Sequence, residues 1–300
     1  MRLEEHLNLL SQSLKKKYKN RVMKVGLSLG ITCPNRLNGG CIFCLPTTFT
    51  DAINDNQTTS LTEQIALLLP KIMAKTNTNK FIAYLQDETS TACCPNYLKE
   101  SLAIIENSNI FEEVIISTRP DYINRDILTA IKSAKLPVTI EIGMQTIHDV
   151  SLSWLNRNHT HQETLDALAL CEDFQIPTGV HLILGIPGET ETMMIQTINF
   201  VNNQQNVKDV KIHNLVIYQK TKLAEIYNNY KFLSYPEYIE LLTKIIGNLH
   251  PEKTISRLFT TNLRQSSLAI NPFPGIKQIW LKDLWLALRR KSISQGSLLF

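Results

Sequence analysis

Long apolar runs are missing from this 300-residue chain. Stretches such as Ala66–Leu69 fall far short of the roughly 20 residues a membrane span needs, so no membrane partner is expected. The opening residues Met1–His6 carry no apolar signal-like segment, and a cytoplasmic location is expected. Charge of one sign is scarce as well. Lys+Arg is 31 against 27 Asp+Glu, and a net +4 is too small to mark a dedicated nucleic-acid binder. There is no internal repeat, low-complexity tract or long linker. A second Cys-x2-Cys pair is also missing, which argues against a two-pair zinc site and against an auxiliary cluster.

What is present is enough apolar residue, 43%, for a sizeable core. Short β-rich runs alternate with helical stretches. The expected strands are Val22–Leu29, Lys80–Leu85, Glu113–Ser117, Val138–Met144, Thr178–Leu184 and Val210–Ile217. Helical periodicity covers Leu61–Ala74, Tyr122–Ala134, His161–Phe174, Glu189–Val201 and Tyr235–Leu249. Three of these follow a Ser or Thr with Glu three residues on (Ser60/Glu63, Thr160/Glu163, Ser234/Glu237), the spacing of a capping box. Alternating strands and helices imply an α/β protein with a mostly parallel sheet, as a barrel or an open curved sheet. Ligands should then sit at the C-terminal ends of the strands. The polar stretch Asp51–Ser60 reads as a loop. The expected organisation is a helical lead-in over 1–20, a core domain over 21–250 and a mainly helical C-terminal extension over 251–300. That extension has a loop at Asn271–Gly275 and a helix with Trp280, Leu281, Leu284, Trp285 and Leu288 on one face.

Six cysteines carry more information than the bulk numbers. Cys33, Cys41 and Cys44 fall within twelve residues, spaced C-x7-C-x2-C, in the loop after the first strand. Gly39-Gly40 lets the backbone turn tightly enough for Cys33 to join the Cys41/Cys44 pair. In a reducing compartment such a cluster points to a metal or redox centre. Spacing alone leaves three readings open: an iron–sulfur cluster, a structural zinc completed by a distant His, and unrelated thiols. The corresponding proteins are an enzyme, a zinc-based RNA- or protein-binding module, and a non-catalytic electron carrier or sensor. Cys93, Cys94 and Cys171 acquire no assigned chemistry.

The chain resembles the radical S-adenosylmethionine superfamily. The resemblance rests on a three-cysteine loop after the first strand, with Phe43 just before the last cysteine. Its spacing departs from the usual C-x3-C-x2-C, as in the branch that includes the elongator catalytic subunit. A nearer likeness is to the YhcC-type family. It is carried in order by Thr32–Arg36, Gly39–Cys44, Ser117–Asp121, Glu141–Thr146, Asn156–His159, His181–Glu189 and Lys211–His213. The resemblance implies a partial (β/α)6 barrel with an oxygen-sensitive 4Fe–4S cluster at its mouth. Cys33, Cys41 and Cys44 would bind three irons, and S-adenosylmethionine would chelate the fourth. An electron from a flavodoxin- or ferredoxin-like donor would cleave the sulfonium, and the 5′-deoxyadenosyl radical would attack an unknown substrate.

The same resemblance supplies the cofactor-binding expectations. Glu88 would bind the methionyl amine, although Gln86-Asp87-Glu88 stands where many members carry Gly-Gly-Glu. Gln145 would bond the ribose and Arg157 a carboxylate, as in the oxygen-independent coproporphyrinogen oxidase. Arg119 would position cofactor or substrate, or act as a helix cap. Gly185 and Gly188 would admit adenine or ribose, or serve only as a turn. His181 and His213 would line the site, or be satisfied core residues. The basic stretches Lys15–Lys17, Lys19, Arg21, Lys24 and Arg289–Lys291 read as a solvated face or, more sharply, as a rim for RNA.

Overall fold

The computed structural model describes residues 3–48, 59–260, 267–270 and 273–299. Most of the loop expected at Asp51–Ser60 lies outside these residues, as do Asn271 and Pro272. Among the described residues, seven parallel strands form one sheet in the order β1-β2-β3-β4-β5-β6-β8. They are β1 (Val22–Leu27), β2 (Lys80–Leu85), β3 (Phe111–Thr118), β4 (Val138–Gln145), β5 (Thr178–Leu184), β6 (Val207–Asn214) and β8 (Thr254–Arg257). A two-stranded antiparallel ribbon pairs β7 (Ile217–Tyr218) with β9 (Leu268–Ile270). The sixth expected strand is therefore two: β6 stops at Asn214, and β7 leaves the sheet. The seventh parallel strand, β8, falls in the stretch expected to be an extension.

The helices are α1 (Leu10–Tyr18), α2 (Leu61–Thr76), α3 (Pro95–Asn107), α4 (Arg125–Lys132), α5 (Asp149–Trp154), α6 (His161–Asp173), α7 (Glu191–Asn203), α8 (Lys222–Ile226), α9 (Tyr235–Asn248) and α10 (Lys277–Lys291). α2, α6 and α9 each open on the capping box their sequences spell. In each, the Glu carboxylate accepts the N–H of the Ser or Thr three residues before it. Such caps are worth about 1 kcal/mol apiece and fix where the helix begins.

Alternation along the strands decides the two faces of the sheet. Val25, Leu27, Ala83, Leu85, Val114, Ile116, Ile140, Ile142, Val180, Leu182, Val210 and Ile212 all belong to one buried core shared with the helices. Each large aliphatic buried there stabilises by about 1.5–3 kcal/mol. The opposite face carries Lys24, Tyr84, Ser117, Glu141, His181 and Lys211. These polar side chains meet across the sheet: Glu141 on β4 is bonded by Lys24 from β1 and by Lys211 from β6. Tyr84 on β2 accepts from Lys211 at 2.8 Å. Contacts between strands so far apart in the order require a sheet curled into a half-barrel, its inner face polar. Lys24, expected on a basic surface, is turned into this interior.

The chain ends meet beside β8. Leu9 forms a parallel bridge with Ile255, and the Ile255 N–H donates to the Asn8 carbonyl at 2.8 Å. Gln295 ties this region together. It accepts from the Asn8 N–H and donates to the carbonyls of His250 and Lys253. α10 buries Trp280, Leu284 and Leu288. Trp280 joins an aromatic cluster with Tyr238, Phe259 and Phe273, at ring separations of 5.0–6.4 Å.

Candidate active site

The C-terminal ends of the strands open into a cavity of about 350 Å³ that contains all three clustered cysteines. Cys33 leads into a short 3-10 helix, Pro34–Asn38, which ends in two left-handed glycines, Gly39 at φ +85° and Gly40 at φ +72°. The expected tight turn is present and is closed by a Gly40 N–H bond to the Asn35 carbonyl at 2.9 Å. Asn35 is buried, and its amide donates to Cys41 Sγ at 3.3 Å and to the Asn156 carbonyl at 2.8 Å. Asn156 in turn donates to the carbonyls of Asn38 and Gly40. The Ile42 backbone is clamped between the Leu155 carbonyl and the Leu223 N–H. The loop is thus held by its neighbours before any group binds in it.

Asp87, just past β2, fixes the other end of the loop. Its carboxylate accepts from Ser28 Oγ at 2.6 Å and from the N–H groups of Leu29 and Ile31. Glu88 beside it is held by Arg36 Nε at 2.6 Å, over the cysteine loop. Arg157 reaches two targets: Nη1 donates to Cys41 Sγ at 3.4 Å and Nη2 to the Gly143 carbonyl at 2.7 Å. Gly143 gives these side chains room, because a Cβ would lie 3.0 Å from Arg157 Nη2 and 3.1 Å from Gln145 Nε2 and one of them would have to shift. Gln145 ends β4 at φ +68°, a backbone conformation that disfavours a side chain and persists only where the surroundings impose it. Arg119 forks onto Asp121 at 2.9 Å and onto the Asn158 carbonyl at 3.2 Å.

The electrostatics favour a cationic group among the thiols. Burial, then the charges of Cys41, Glu88 and Cys33, push the Cys44 thiol up to about 12. Three thiolates coexist here only against a compensating positive charge. Among the described residues, no three His, Cys, Asp or Glu side chains close on a single-ion position. Beside the thiols, Arg119 Nη1 and Arg157 Nε are buried without a hydrogen-bond partner and call for an anionic acceptor, and the amide oxygen Asn35 Oδ1 lacks a donor. Thiolate ligands, N–H donors to sulfur and free cationic nitrogens on one wall fit an iron–sulfur cluster carrying an anionic ligand group.

The remaining candidates divide. Glu88, Arg119, Gln145, Arg157, His181 and His213 line the cysteine-bearing cavity; Gly185 and Gly188 do not. Gly185, at φ +81°, borders a separate cavity of about 160 Å³ lined by Leu215, Phe232 and Leu233. Gly188, at φ +92°, has no atom within 4 Å of a built Cβ, and its backbone conformation favours glycine. His181 Nε2–H donates to the Glu141 carboxylate at 2.7 Å, and burial together with the Lys211 charge holds its imidazole down to about 4. Cys93, Cys94 and Cys171 lie outside the cavity wall, and Cys171 sits on the buried face of α6. Asn35, Asp87, Asn156, Lys211 and Arg257 contribute to the site without having been expected. For Lys211 the signal was the alternation of Asp209, Lys211 and His213 with the core residues Val210 and Ile212 along β6.

A curled parallel half-barrel whose mouth carries three cysteines defines a class: the radical S-adenosylmethionine proteins. Residues 28–201 match the radical SAM superfamily and residues 207–280 its C-terminal domain, and the chain belongs to that superfamily. It is 30% identical to an uncharacterised protein, MJ0486, of Methanocaldococcus jannaschii, over 96% of this chain and 90% of that one. It is 26% identical to the YhcC protein of Escherichia coli, over 96% and 92%. Among solved structures, archaeal Elp3 of Methanocaldococcus infernus shares the fold with a TM-score of 0.70 at 17% identity, covering 91% of this chain and 64% of that one. Its cofactors are those of the superfamily, a 4Fe–4S cluster and S-adenosylmethionine, and the protein is a radical SAM enzyme. That sets aside the zinc module and the non-catalytic carrier. Among the described residues no helix is long and apolar enough to cross a membrane.

Proposed function

We propose that the cavity binds S-adenosylmethionine against a cluster held by Cys33, Cys41 and Cys44, and that a second substrate enters from the barrel interior. One observation carries this reading: the three thiols, Gln145 and the two partly unpartnered guanidinium groups of Arg119 and Arg157 share a single wall. When bound, the cofactor pair supplies reductive cleavage of the sulfonium and a 5′-deoxyadenosyl radical. The protein supplies position and polarity. N–H donors from Asn35 and Arg157 draw electron density from Cys41 Sγ and ease reduction. Arg157 and Arg119 offer cationic nitrogens to the methionyl carboxylate. Glu88 binds the methionyl amine, exchanging its bond from Arg36, and Gln145 bonds the ribose. Gly185 and Gly188 shape the turn next to the adenosine side, and His181 borders the substrate side. The electron comes from a flavodoxin- or ferredoxin-like donor.

Anaerobic reconstitution tests this. Brown protein with about four irons per chain and 5′-deoxyadenosine after reduction is expected. Cys41→Ala should abolish both. Colourless protein with one zinc and no nucleoside would overturn the reading.

An RNA substrate is the second reading. It is favoured by 32% identity over 126 residues to a tRNA uridine(34) acetyltransferase of M. jannaschii, a match covering 41% of this chain and 23% of that protein. The exposed basic stretches do not help it at the mouth. Lys17 and Tyr18 bond Glu113 at the start of β3, and Lys291 bonds Glu240 on α9, so the N-terminal stretch lies by the strand starts, opposite the cavity. Salt-sensitive RNA binding would support this reading; no binding at low salt would sink it.

A further inference from the structure

The inner wall of the cavity holds a second charged neighbourhood, separate from the thiols. Its centre is Glu141, which is fully engaged by Lys24 at 3.1 Å, His181 and Tyr84 at 2.7 Å each, and Lys211. Lys211 pairs in register with Arg257 on β8. Arg257 lines the same cavity, yet its guanidinium has no hydrogen bond or ion pair among the described residues. Its charge lowers the proton affinity of His181, Lys211 and His213. His213 is bonded only through Nδ1, to Thr260 Oγ1 at 3.3 Å, among the described residues.

The charges do not balance. Among the described residues, Lys24 and Lys211 both bond the one carboxylate of Glu141, Asp209 accepts from Thr254 Oγ1 at 2.7 Å, and no carboxylate bonds Arg257. A half-sheltered guanidinium with no protein partner among the described residues keeps its planar fork free on the cavity wall, and that fork suits a two-oxygen acceptor. The methionyl carboxylate of S-adenosylmethionine does not fill this role on the reading above, since it is placed at the thiol wall beside Arg157.

We propose that Arg257, with Lys211 and His213 beside it, receives a compact anionic group of the substrate, a carboxylate or a phosphate ester, at the inner end of the cavity. This rests on the cavity being the radical enzyme's active site. The anion anchors the substrate so that its reacting carbon faces the mouth, where the radical is released. A substrate without such a group leaves Arg257 unpaired and is discriminated against.

Calorimetric titration of the anaerobic, cluster-loaded protein with S-adenosylmethionine present tests the assignment. The probes are inorganic phosphate and, separately, acetate. One of them should bind with unit stoichiometry, and which one binds identifies the source of the anion. Arg257→Gln should lower that affinity at least tenfold and Arg257→Lys by less. Exposed Arg125→Gln, a control for lost charge alone, should leave it unchanged. Iron content and circular dichroism show that each variant is folded and loaded. If Arg257→Gln fails to fold, the Arg257→Lys titration decides. Undiminished binding in the folded Arg257 variant, or no binding of either anion to loaded wild-type protein, would overturn the proposal. Failure of the wild-type protein to take up a cluster, with anion binding intact, would instead overturn the radical-enzyme reading and leave the anion receiver standing.

Discussion

Arg157 spends one nitrogen on Cys41 Sγ and another on the Gly143 carbonyl, and keeps Nε buried without a partner. A guanidinium in that state is oriented before its ligand arrives. A charge-assisted hydrogen bond contributes about 1.5–3 kcal/mol. Arg157→Ala should therefore weaken S-adenosylmethionine binding by roughly 10- to 100-fold with iron content unchanged. Equilibrium dialysis checks this, and unaltered affinity would reject the role. Asp87 acts differently, through the cysteine loop. Asp87→Ala leaves the Leu29 and Ile31 N–H groups without an acceptor, at about 1–3 kcal/mol each where buried. Less iron per chain after reconstitution and a lower melting temperature are expected, with Asp87→Asn intermediate. Full iron uptake by the alanine variant would show that the loop does not need this carboxylate.

At the scale of elements, β4 sets the site. Thr139, Glu141, Gly143 and Gln145 alternate inward while Ile140, Ile142 and Met144 enter the core, so one strand delivers the ion-pair centre, the gap for Arg157 and the Gln145 amide. Gly143→Ala should keep the barrel, seen as an unchanged circular dichroism spectrum. It should also push Arg157 and Gln145 aside and weaken S-adenosylmethionine binding several-fold; wild-type affinity would show that both side chains give way freely. The outer faces of β1–β6 were legible because a period-2 apolar pattern under helices has few alternatives. β8 was not: Thr254-Ile255-Ser256-Arg257 offers a single apolar residue, and only its pairing with β6 makes it a strand. The cysteine loop was legible from spacing. The supports of that loop were not, because Asn35 meets Asn156 and Ser28 meets Asp87 only once the sheet has curled. Gly185 and Gly188 were legible as a turn after β5, which their positive φ values require.

For the whole molecule, a charged barrel interior sets a pH limit on stability. Burial, then Lys211, holds His181 down to about 4 from an ordinary 6.5. Burial, then Arg257, His181 and Lys211, holds His213 well below the same value. Both imidazoles are neutral in the folded protein, whereas the unfolded chain binds protons on them below about 6.5. Between pH 6.5 and 4 the unfolded state therefore holds more protons, and stability falls as pH falls. The slope is about 1.4 kcal/mol per pH unit for each histidine. Glu141 extends the loss. Burial alone would raise its carboxyl, but Lys211 and Lys24 outweigh that and keep it well below 4.5. Its contribution is present above the unfolded value and disappears as pH drops through the folded one. Urea unfolding at pH 7 and pH 5 should thus show a clear drop in midpoint at the lower pH, and His181→Gln should lessen that dependence by removing one of the protons taken up on unfolding, His159 and His161 being held down by burial as well. Equal midpoints at the two pH values would mean that the interior admits protons while folded, and that the Glu141 network does not hold its histidines neutral.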